Sequence, residues 1–147
     1  MTRIDYYVLA NNAQAEVHRL ACRIAGKAYG LGHTVYVNTG SAAEARAIDE
    51  LLWTYSDASF IPHALAERLA DDNAIARTPV RVGHGGAPAA PAELLINLAP
   101  GWPEYFEQFD RVAEVIDADE QRRTDGRVRY RQYRDRGYEI TTHKIGG

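Results

Sequence analysis

The first forty residues combine two short apolar runs with one amphipathic segment between them. The run Ile4–Leu9 is rich in strand-forming residues and predicts a first β-strand, and residues 33–38 predict a second. From about Ala13 to Tyr29, apolar residues recur at helical spacing, and Gly30 follows directly. A strand, a helix and a second strand in this order predict a right-handed βαβ unit with parallel strands.

The rest of the chain continues the alternation of helices and strands. Ser41 and Glu44 have the spacing of a capping box and predict a helix that ends near Trp53. The continuous apolar run Leu94–Leu98 predicts a strand that is covered on both faces of a sheet. The other predicted elements are a short helical stretch around Ala64–Leu69, a strand at Pro79–Val82, a short helix opened by Pro103, a strand at Phe109–Ile116 and a last long helix from about Glu120 to Arg136, which Gly137 ends.

Together these elements predict one α/β domain that spans residues 1–147, with a mainly parallel central sheet and helices on both faces. The pattern contains no internal repeat and no linker long enough to separate two domains. We expect a Rossmann-like topology without a dinucleotide motif, because no G-x-G-x-x-G sequence opens a helix.

The composition is that of an ordinary globular protein. Of the 147 residues, 46% are hydrophobic and 25% are charged, and the formal net charge is −3. The single cysteine, Cys22, cannot form an internal disulfide and suits a reducing compartment. No apolar run approaches the roughly 20 residues that span a bilayer, and the first residues lack a signal-peptide pattern. We therefore expect a soluble, cytoplasmic protein without a membrane partner.

No group of residues predicts a catalytic site, a metal site or a cofactor. The loop Gly83–Gly86 follows a predicted strand but lacks the Gly-Lys-Ser/Thr sequence of a phosphate loop. His18 and Cys22 share one helical face without a third ligand nearby, and Cys22 is expected to be a small core residue. We therefore expect a binding role. A nucleotide- or phosphate-binding α/β enzyme, which would depend on the loop at 83–91, stays open as an alternative.

The net charge conceals a strongly basic segment near the end of the chain. Residues 121–136 contain seven arginines and two acidic residues, which gives +5 and leaves −8 for the other residues. The arginines are Arg122, Arg123, Arg127, Arg129, Arg131, Arg134 and Arg136. At about 100° per residue, one helical face presents Arg123, Arg127 and Arg134 with Tyr130 among them and Arg131 at the edge. Val128 and Tyr133 fall away from this face and are expected to pack inward.

This arginine face indicates an anion-binding surface rather than a simple solvated face. Arg123, Arg127 and Arg131 follow one another at i,i+4 spacing, where like charges are mildly destabilising. The guanidinium fork suits carboxylates and phosphates. The residues alone leave two ligands open, because a tyrosine between arginines permits base stacking on a nucleic acid as well as packing against an acidic peptide.

A second candidate surface lies around the end of the second predicted helix. Its members are large apolar residues in a helix end and the following loop: Trp53, Tyr55, Phe60, Ile61 and Pro62. Such a cluster caps a core in some proteins and forms the hot spot of a protein interface in others.

Four sequence motifs together carry a resemblance to a known family. They are Tyr-Tyr-Val-Leu at 6–9, Leu-Leu-Trp at 51–53 followed by Phe-Ile-Pro-His at 60–63, Leu-Ile-Asn-Leu at 95–98, and Arg-Val-Arg-Tyr-Arg-Gln-Tyr-Arg at 127–134 with Gly-Tyr at 137–138. Over nearly its full length, the chain resembles the chi subunits of bacterial DNA polymerase III holoenzyme, which are clamp-loader accessory proteins.

The resemblance implies an α/β protein without catalysis of its own and with two protein partners. One partner is the psi subunit, with which the family forms a heterodimer that connects it to the clamp loader. The other is the acidic C-terminal tail of single-stranded-DNA-binding protein, which ends in Pro-Phe with a free carboxylate. The protein is then expected to contact DNA mostly indirectly, through its partners. The alternative is a protein that binds single-stranded nucleic acid directly.

The resemblance also implies roles for individual residues. By position, Arg127 takes the terminal carboxylate of the tail, and Arg123, Arg131 and Arg134 attract its acidic residues. Tyr130 and Ile116 form the walls of a pocket for the terminal phenylalanine, with Thr142 nearby. Trp53, Phe60 and Pro62 correspond to the surface that faces psi.

Overall fold

The computed structural model describes residues 1–55 and 60–145. These residues form one central β-sheet and the helices that cover it. The strands are β1 (Arg3–Leu9), β2 (Val35–Thr39), β3 (His63–Leu65), β4 (Val80–His84), β5 (Leu94–Asn97), β6 (Arg111–Ile116) and β7 (Ile140–Ile145). The helices are α1 (Gln14–Gly30), α2 (Ala42–Thr54), α3 (Asp72–Ala76) and α4 (Glu120–Asp135), and single 3₁₀ turns lie at Ala66–Arg68 and Phe106–Gln108.

The strands follow the order β3-β4-β2-β5-β6-β1-β7, and every neighbouring pair in the described part of the chain is parallel. The prediction of a parallel sheet in an α/β domain is therefore confirmed. The predicted opening unit needs one correction, because β1 and β2 are parallel but not adjacent. The later strands β5 and β6 lie between them, and α1 packs across β6, β5 and β2.

Helices cover both faces of the sheet, as predicted, and each face has its own core. On one face, α1 and α2 bury side chains such as Val17 and Ile48 against the strands. The opposite face is rich in aromatic residues, where Phe106, Phe109 and Tyr133 pack together at 1% exposure or less. Helix α4 packs on this aromatic face through Tyr133, and its opposite side is exposed to solvent.

Local signals in the sequence set the ends of the helices. The Ser41 hydroxyl accepts a hydrogen bond from the Glu44 amide at 3.0 Å, so Ser41 is confirmed as the N-cap of α2. The Glu44 carboxylate accepts its bond from the Gly40 amide at 2.7 Å, one residue before the amide that a capping box uses. Gly137 ends the last helix at a φ of +88°, a left-handed conformation that glycine adopts without strain.

The structure differs from the sequence predictions at four places. Of the predicted helical stretch around Ala64–Leu69, only Ala66–Arg68 is helical, as a 3₁₀ turn; strand β3 includes its first two residues, and α3 follows it. Strand β7 was not predicted. The expected helix at Pro103 is only a 3₁₀ turn, whose Phe106 amide donates to the Pro103 carbonyl at 3.0 Å. Val128 was expected to pack inward but is 44% exposed.

The described residues contain neither a membrane-spanning helix nor a cluster of metal ligands. None of the described helices is long and apolar enough to cross a membrane. Within the same residues, no group of three or more His, Cys, Asp or Glu side chains is arranged to hold a metal ion.

Candidate functional site

A buried ion pair attaches α4 to the centre of the sheet. Glu114 of β6 is fully buried and accepts hydrogen bonds from Arg129 Nε at 3.0 Å and from the Tyr133 hydroxyl at 2.8 Å. The Asn97 amide donates to the same carboxylate at 3.1 Å, and Arg129 Nη1 donates to the Pro100 carbonyl at 2.7 Å. Burial disfavours the charge of Arg129, but the facing Glu114 carboxylate outweighs it and raises the arginine's pKa. Arg129 is therefore a structural residue, and its share of the segment's formal charge of +5 is neutralised by Glu114.

The middle of α4 packs closely against strands β1 and β6. Gly126 lies so near Ile116 that an added Cβ would be 2.9 Å from Ile116 Cγ2. The Tyr6 hydroxyl donates to the Gly126 carbonyl at 2.9 Å, and the Tyr130 ring meets the Tyr6 ring edge-to-face at 5.2 Å. Because these contacts and the Arg129–Glu114 pair hold one face of the helix against β1 and β6, they determine its rotation about its own axis.

This rotation turns the predicted arginine face outward, on the side of β1 and β7. Arg127, Arg131 and Arg134 are exposed, while Arg123 and Tyr130 are half-buried. No carboxylate in the described ranges 1–55 and 60–145 lies within ion-pair distance of Arg123, Arg127 or Arg131. We call this surface, formed by Arg123, Arg127, Tyr130, Arg131 and Arg134, the arginine stripe.

The other predicted members of this site lie beside the arginine stripe. Ile116 is 7% exposed and packs under Gly126. Thr142 of β7 is the register partner of Tyr6, on which the Tyr130 ring rests, and its side chain is exposed. The structure therefore brings Tyr130, Ile116 and Thr142 to one region, at which the arginine stripe and β7 meet.

The remaining basic residues of the segment have other partners. Arg122 forms two hydrogen bonds to the buried Asp117 carboxylate, at 2.9 and 2.8 Å. Burial opposes ionisation of Asp117, but the bonds from Arg122 and from the Asp119 and Ala13 amides outweigh it and lower its pKa. The Arg136 guanidinium lies 5.1 Å from the centre of the Trp102 ring. The free positive charge is thus concentrated on the arginine stripe.

A second exposed surface lies around the end of α2. Trp53 and Phe60 are 56% and 65% exposed, and their ring centres are 5.4 Å apart. The Trp53 ring also contacts the His63 ring edge-to-face at 4.5 Å. Ile61, which follows Phe60 in the sequence, is only 2% exposed, so the core interpretation and the interface interpretation of this cluster apply to different residues. Ile61 belongs to the core, while Trp53 and Phe60, with the half-buried Pro62, form an exposed aromatic patch.

The arginine stripe and the aromatic patch lie at opposite edges of the sheet. Trp53 contacts His63 of β3, the strand at one edge, and the arginine stripe lies beside β7, the strand at the other edge. Six inter-strand spacings separate β3 from β7, which corresponds to about 29 Å at ~4.8 Å per spacing. The two surfaces also belong to helices on opposite faces, so both are accessible at the same time.

Neither the glycine-rich loop nor the His18 and Cys22 pair of α1 has the features of a functional site. A cavity of about 250 Å³ separates Gly85 and Gly86 from residues 100–103, and no lysine or arginine lines it. A phosphate there would lack a cation. Cys22 is buried, which raises the pKa of its thiol to about 12, and His18 pairs with Glu44 at 2.9 Å instead. Cys22 is therefore a core residue, as expected.

The fold and the surface define the class: a single-domain α/β protein with a parallel sheet, whose last helix presents unpaired arginines beside an aromatic side chain. A family profile described as "DNA polymerase III chi subunit, HolC" matches residues 1–141. The chain belongs to this family of DNA polymerase III subunits, which are accessory proteins of DNA replication.

Individual relatives agree with this assignment. The chain is 35% identical over 145 residues to DNA polymerase III subunit chi of Pseudomonas aeruginosa, which covers 99% of this chain and 98% of that protein. It is 29% identical over 143 residues to the subunit of the same name from Haemophilus influenzae, with coverage of 97% and 96%. Among solved structures, the C-terminal domain of the DEAD-box protein Dbp5 is similar with a TM-score of 0.64 at 16% identity, covering 97% of this chain and 91% of that one. That likeness shows a shared fold only.

Proposed function

We propose that the protein is a non-catalytic replication adaptor that binds two partners. One is the acidic C-terminal tail of single-stranded-DNA-binding protein, which contacts the arginine stripe. The other is the psi subunit, which contacts the exposed aromatic patch and connects the heterodimer to the clamp loader. The adaptor then links the clamp loader to coated single-stranded DNA in the cytoplasm. The observation that carries the proposal is the arginine stripe itself, whose three i,i+4 arginines have no carboxylate partner in the described chain.

The arrangement of the arginine stripe fits a peptide that is acidic and ends in a phenylalanine. Arg127 is exposed, and in our proposal it pairs with the terminal carboxylate by charge-assisted hydrogen bonds. Tyr130, Ile116 and Thr142 surround the place at which the terminal phenylalanine ring is expected to pack. Arg123, Arg131 and Arg134 attract the acidic residues before it, which raises the association rate and makes binding sensitive to salt.

The aromatic patch supports the second partner. Exposed tryptophan and phenylalanine rings in contact are typical of protein-interface hot spots. Its separation from the arginine stripe by the width of the sheet supports simultaneous binding of the two partners, as an adaptor requires.

The charge distribution favours a peptide over bare DNA as the direct ligand. Residues outside the basic segment carry a formal charge of −8, which disfavours extended contact with a polyanion. A short acidic peptide needs only the arginine stripe.

The test of tail binding is a titration of a fluorescent tail peptide against wild type, Arg127→Ala and Arg136→Ala. Arg136, the C-cap residue of α4, lies away from the arginine stripe, over the Trp102 ring. Arg136→Ala removes the same single positive charge as Arg127→Ala and therefore controls for net charge. We expect Arg127→Ala to raise Kd by roughly 30-fold, about 2 kcal/mol, and Arg136→Ala to change it little. Deleting the terminal phenylalanine should weaken binding to wild type similarly. Equal affinity of all three proteins would contradict the site.

Two further measurements separate the partners. Trp53→Ala and Phe60→Ala should abolish capture of a psi subunit and leave the affinity for the tail peptide unchanged. Tight binding of a bare oligonucleotide that Arg127→Ala removes, without tail binding, would favour the direct nucleic-acid alternative instead.

A further inference from the structure

The sheet has one open edge beside the arginine stripe. Strand β7 pairs with β1 on one side, and no other strand in the described ranges pairs with its far side. Alternate residues of this six-residue strand therefore present main-chain amides and carbonyls along the open edge, while the groups of the others face β1. These groups form the same pattern that each inner strand of this parallel sheet offers to its neighbour.

The two edges of the sheet differ in how well they would accept another strand. Strand β3, at the other edge, has only three residues and directly follows Pro62, features that blunt an edge. Strand β7 is twice as long, contains no proline or glycine, and four of its six residues are β-branched: Ile140, Thr141, Thr142 and Ile145. Of the two, β7 is suited to receive an added strand.

The charges next to β7 indicate which chain would pair there. Arg131 and Arg134 are exposed residues of α4 next to this edge. The one ion pair that either of them forms within the described residues is the exposed contact of Arg134 with Asp135 at 3.5 Å. Lys144 adds a cation on β7 itself. A second copy of the protein, paired edge to edge across a twofold axis, would bring two arginine stripes together and meet repulsion. An extended acidic peptide would instead meet opposite charge.

The direction of α4 indicates the direction of that peptide. Gly126 contacts Ile116 at the end of β6, whereas Tyr133 bonds to Glu114 two residues earlier, so α4 runs back antiparallel to the strands. Arg131 and Arg134 therefore lie towards the beginning of β7. A peptide whose last residue lies near Ile116 and whose earlier acidic residues follow these arginines runs parallel to β7.

We propose that the segment of an acidic peptide that precedes its terminal phenylalanine adds to β7 as an eighth, parallel strand. Main-chain hydrogen bonds to β7 align the peptide, and its carboxylates face the arginine stripe. This inference rests on the proposed function, because it uses the same peptide, and it explains how the protein would align the acidic segment of that peptide.

The experiment uses the full chain and a synthetic tail peptide long enough to span β7. Backbone amides of β7 are followed by hydrogen exchange with and without saturating peptide. A set of peptides, each N-methylated at one position upstream of the Pro-Phe end, is titrated in parallel. We expect alternate β7 amides to gain protection, and we expect N-methylation at alternate peptide positions to raise Kd by about tenfold or more.

The outcomes separate this inference from the proposed function. Arg127-dependent binding without β7 protection, and with equal affinity of all N-methylated peptides, would overturn the added strand and leave the proposed function intact. Absence of any peptide binding would overturn both. Protection of β7 that rises with protein concentration alone, with a dimer mass in sedimentation, would assign the edge to a second copy and also overturn the proposal.

Discussion

The Arg129 guanidinium lies 3.0 Å from the Glu114 carboxylate, and both side chains are buried, at 4% and 0% exposure. The pair joins the middle of α4 to the middle of the sheet, on the flank of the helix opposite to the arginine stripe. Since a buried, hydrogen-bonded arginine has one well-defined position, the pair sets the orientation in which the exposed arginines of α4 are presented.

The first prediction concerns this pair. Arg129→Met should lower the free energy of unfolding by about 3–5 kcal/mol, because it leaves the Glu114 carboxylate buried without a counter-charge. Arg131→Met, the same change at an exposed position of the same helix, should alter it by about 0.5 kcal/mol or less. Urea denaturation followed by circular dichroism measures both.

A double variant distinguishes the loss of the counter-charge from a general disruption of the core. Replacing the pair together, as Arg129→Met with Glu114→Gln, removes the uncompensated charge, keeps a side-chain oxygen to accept from the Tyr133 hydroxyl, and should recover much of the lost stability. A single variant as stable as wild type would contradict the role given to the pair.

The second prediction concerns the close contact between α4 and β6. Gly126→Ala normally favours a helix by up to about 1 kcal/mol. Here the new methyl group would lie 2.9 Å from Ile116 Cγ2, so overpacking should prevail and lower the free energy of unfolding by about 1–2 kcal/mol. If the clash is the cause, the cost of Gly126→Ala should disappear in an Ile116→Ala background. A stabilised single variant would show that the helix moves away freely.

The third prediction is a pH dependence of stability. The pKa of Asp117 is lowered below its ordinary value of 3.8, because the bonds from Arg122 and two amides outweigh burial. Its ionised form is thus favoured in the folded state, and it contributes stability that is complete above pH 3.8 and is lost as pH falls through the lowered value.

Thermal melts from neutral pH down to acid test this contribution. Asp117→Asn should be less stable than wild type at neutral pH, and the difference in Tm should shrink as the pH falls below 3.8. A difference that stays constant over the whole range would mean that Asp117 acts by packing alone.

The fourth prediction concerns Cys22. Burial raises the pKa of its thiol to about 12, and the side chain is 1% exposed. Ellman's reagent should therefore react negligibly with the native protein at pH 8 and completely after addition of denaturant, since the thiolate is the reactive form. Cys22→Ala gives the baseline. Rapid reaction under native conditions would contradict the packing of α1 described above.

Local patterns in the sequence correctly predicted much of the fold. Helix ends are encoded by near neighbours, as at Ser41 with Glu44 and at Gly137, and such signals need no tertiary information. Helical periodicity likewise placed Tyr130 among the exposed arginines and Tyr133 inside. The prediction for Val128 was wrong because this residue lies about 140° around the helix from the buried Tyr133, so only one of the two can face the sheet.

The order of the strands could not be predicted in the same way. Nothing in the sequence of β1 and β2 indicates that β5 and β6 insert between them, because strand pairing is decided by contacts between distant segments. Strand β7 lacks the alternating pattern of a half-buried strand, since none of its side chains is buried: three are exposed and three are half-buried.

By itself, the sequence determined the α/β class, the positions of the long helices and the presence of a basic helix with an aromatic side chain. Only the tertiary structure decided which arginines are free. Arg122 and Arg129 are bound to buried carboxylates on β6 and just after it, whereas Arg127 and Arg131 remain unpaired within the described residues. The reason is physical: charge is a property of each residue, but its availability depends on the partners that folding brings within a few ångströms.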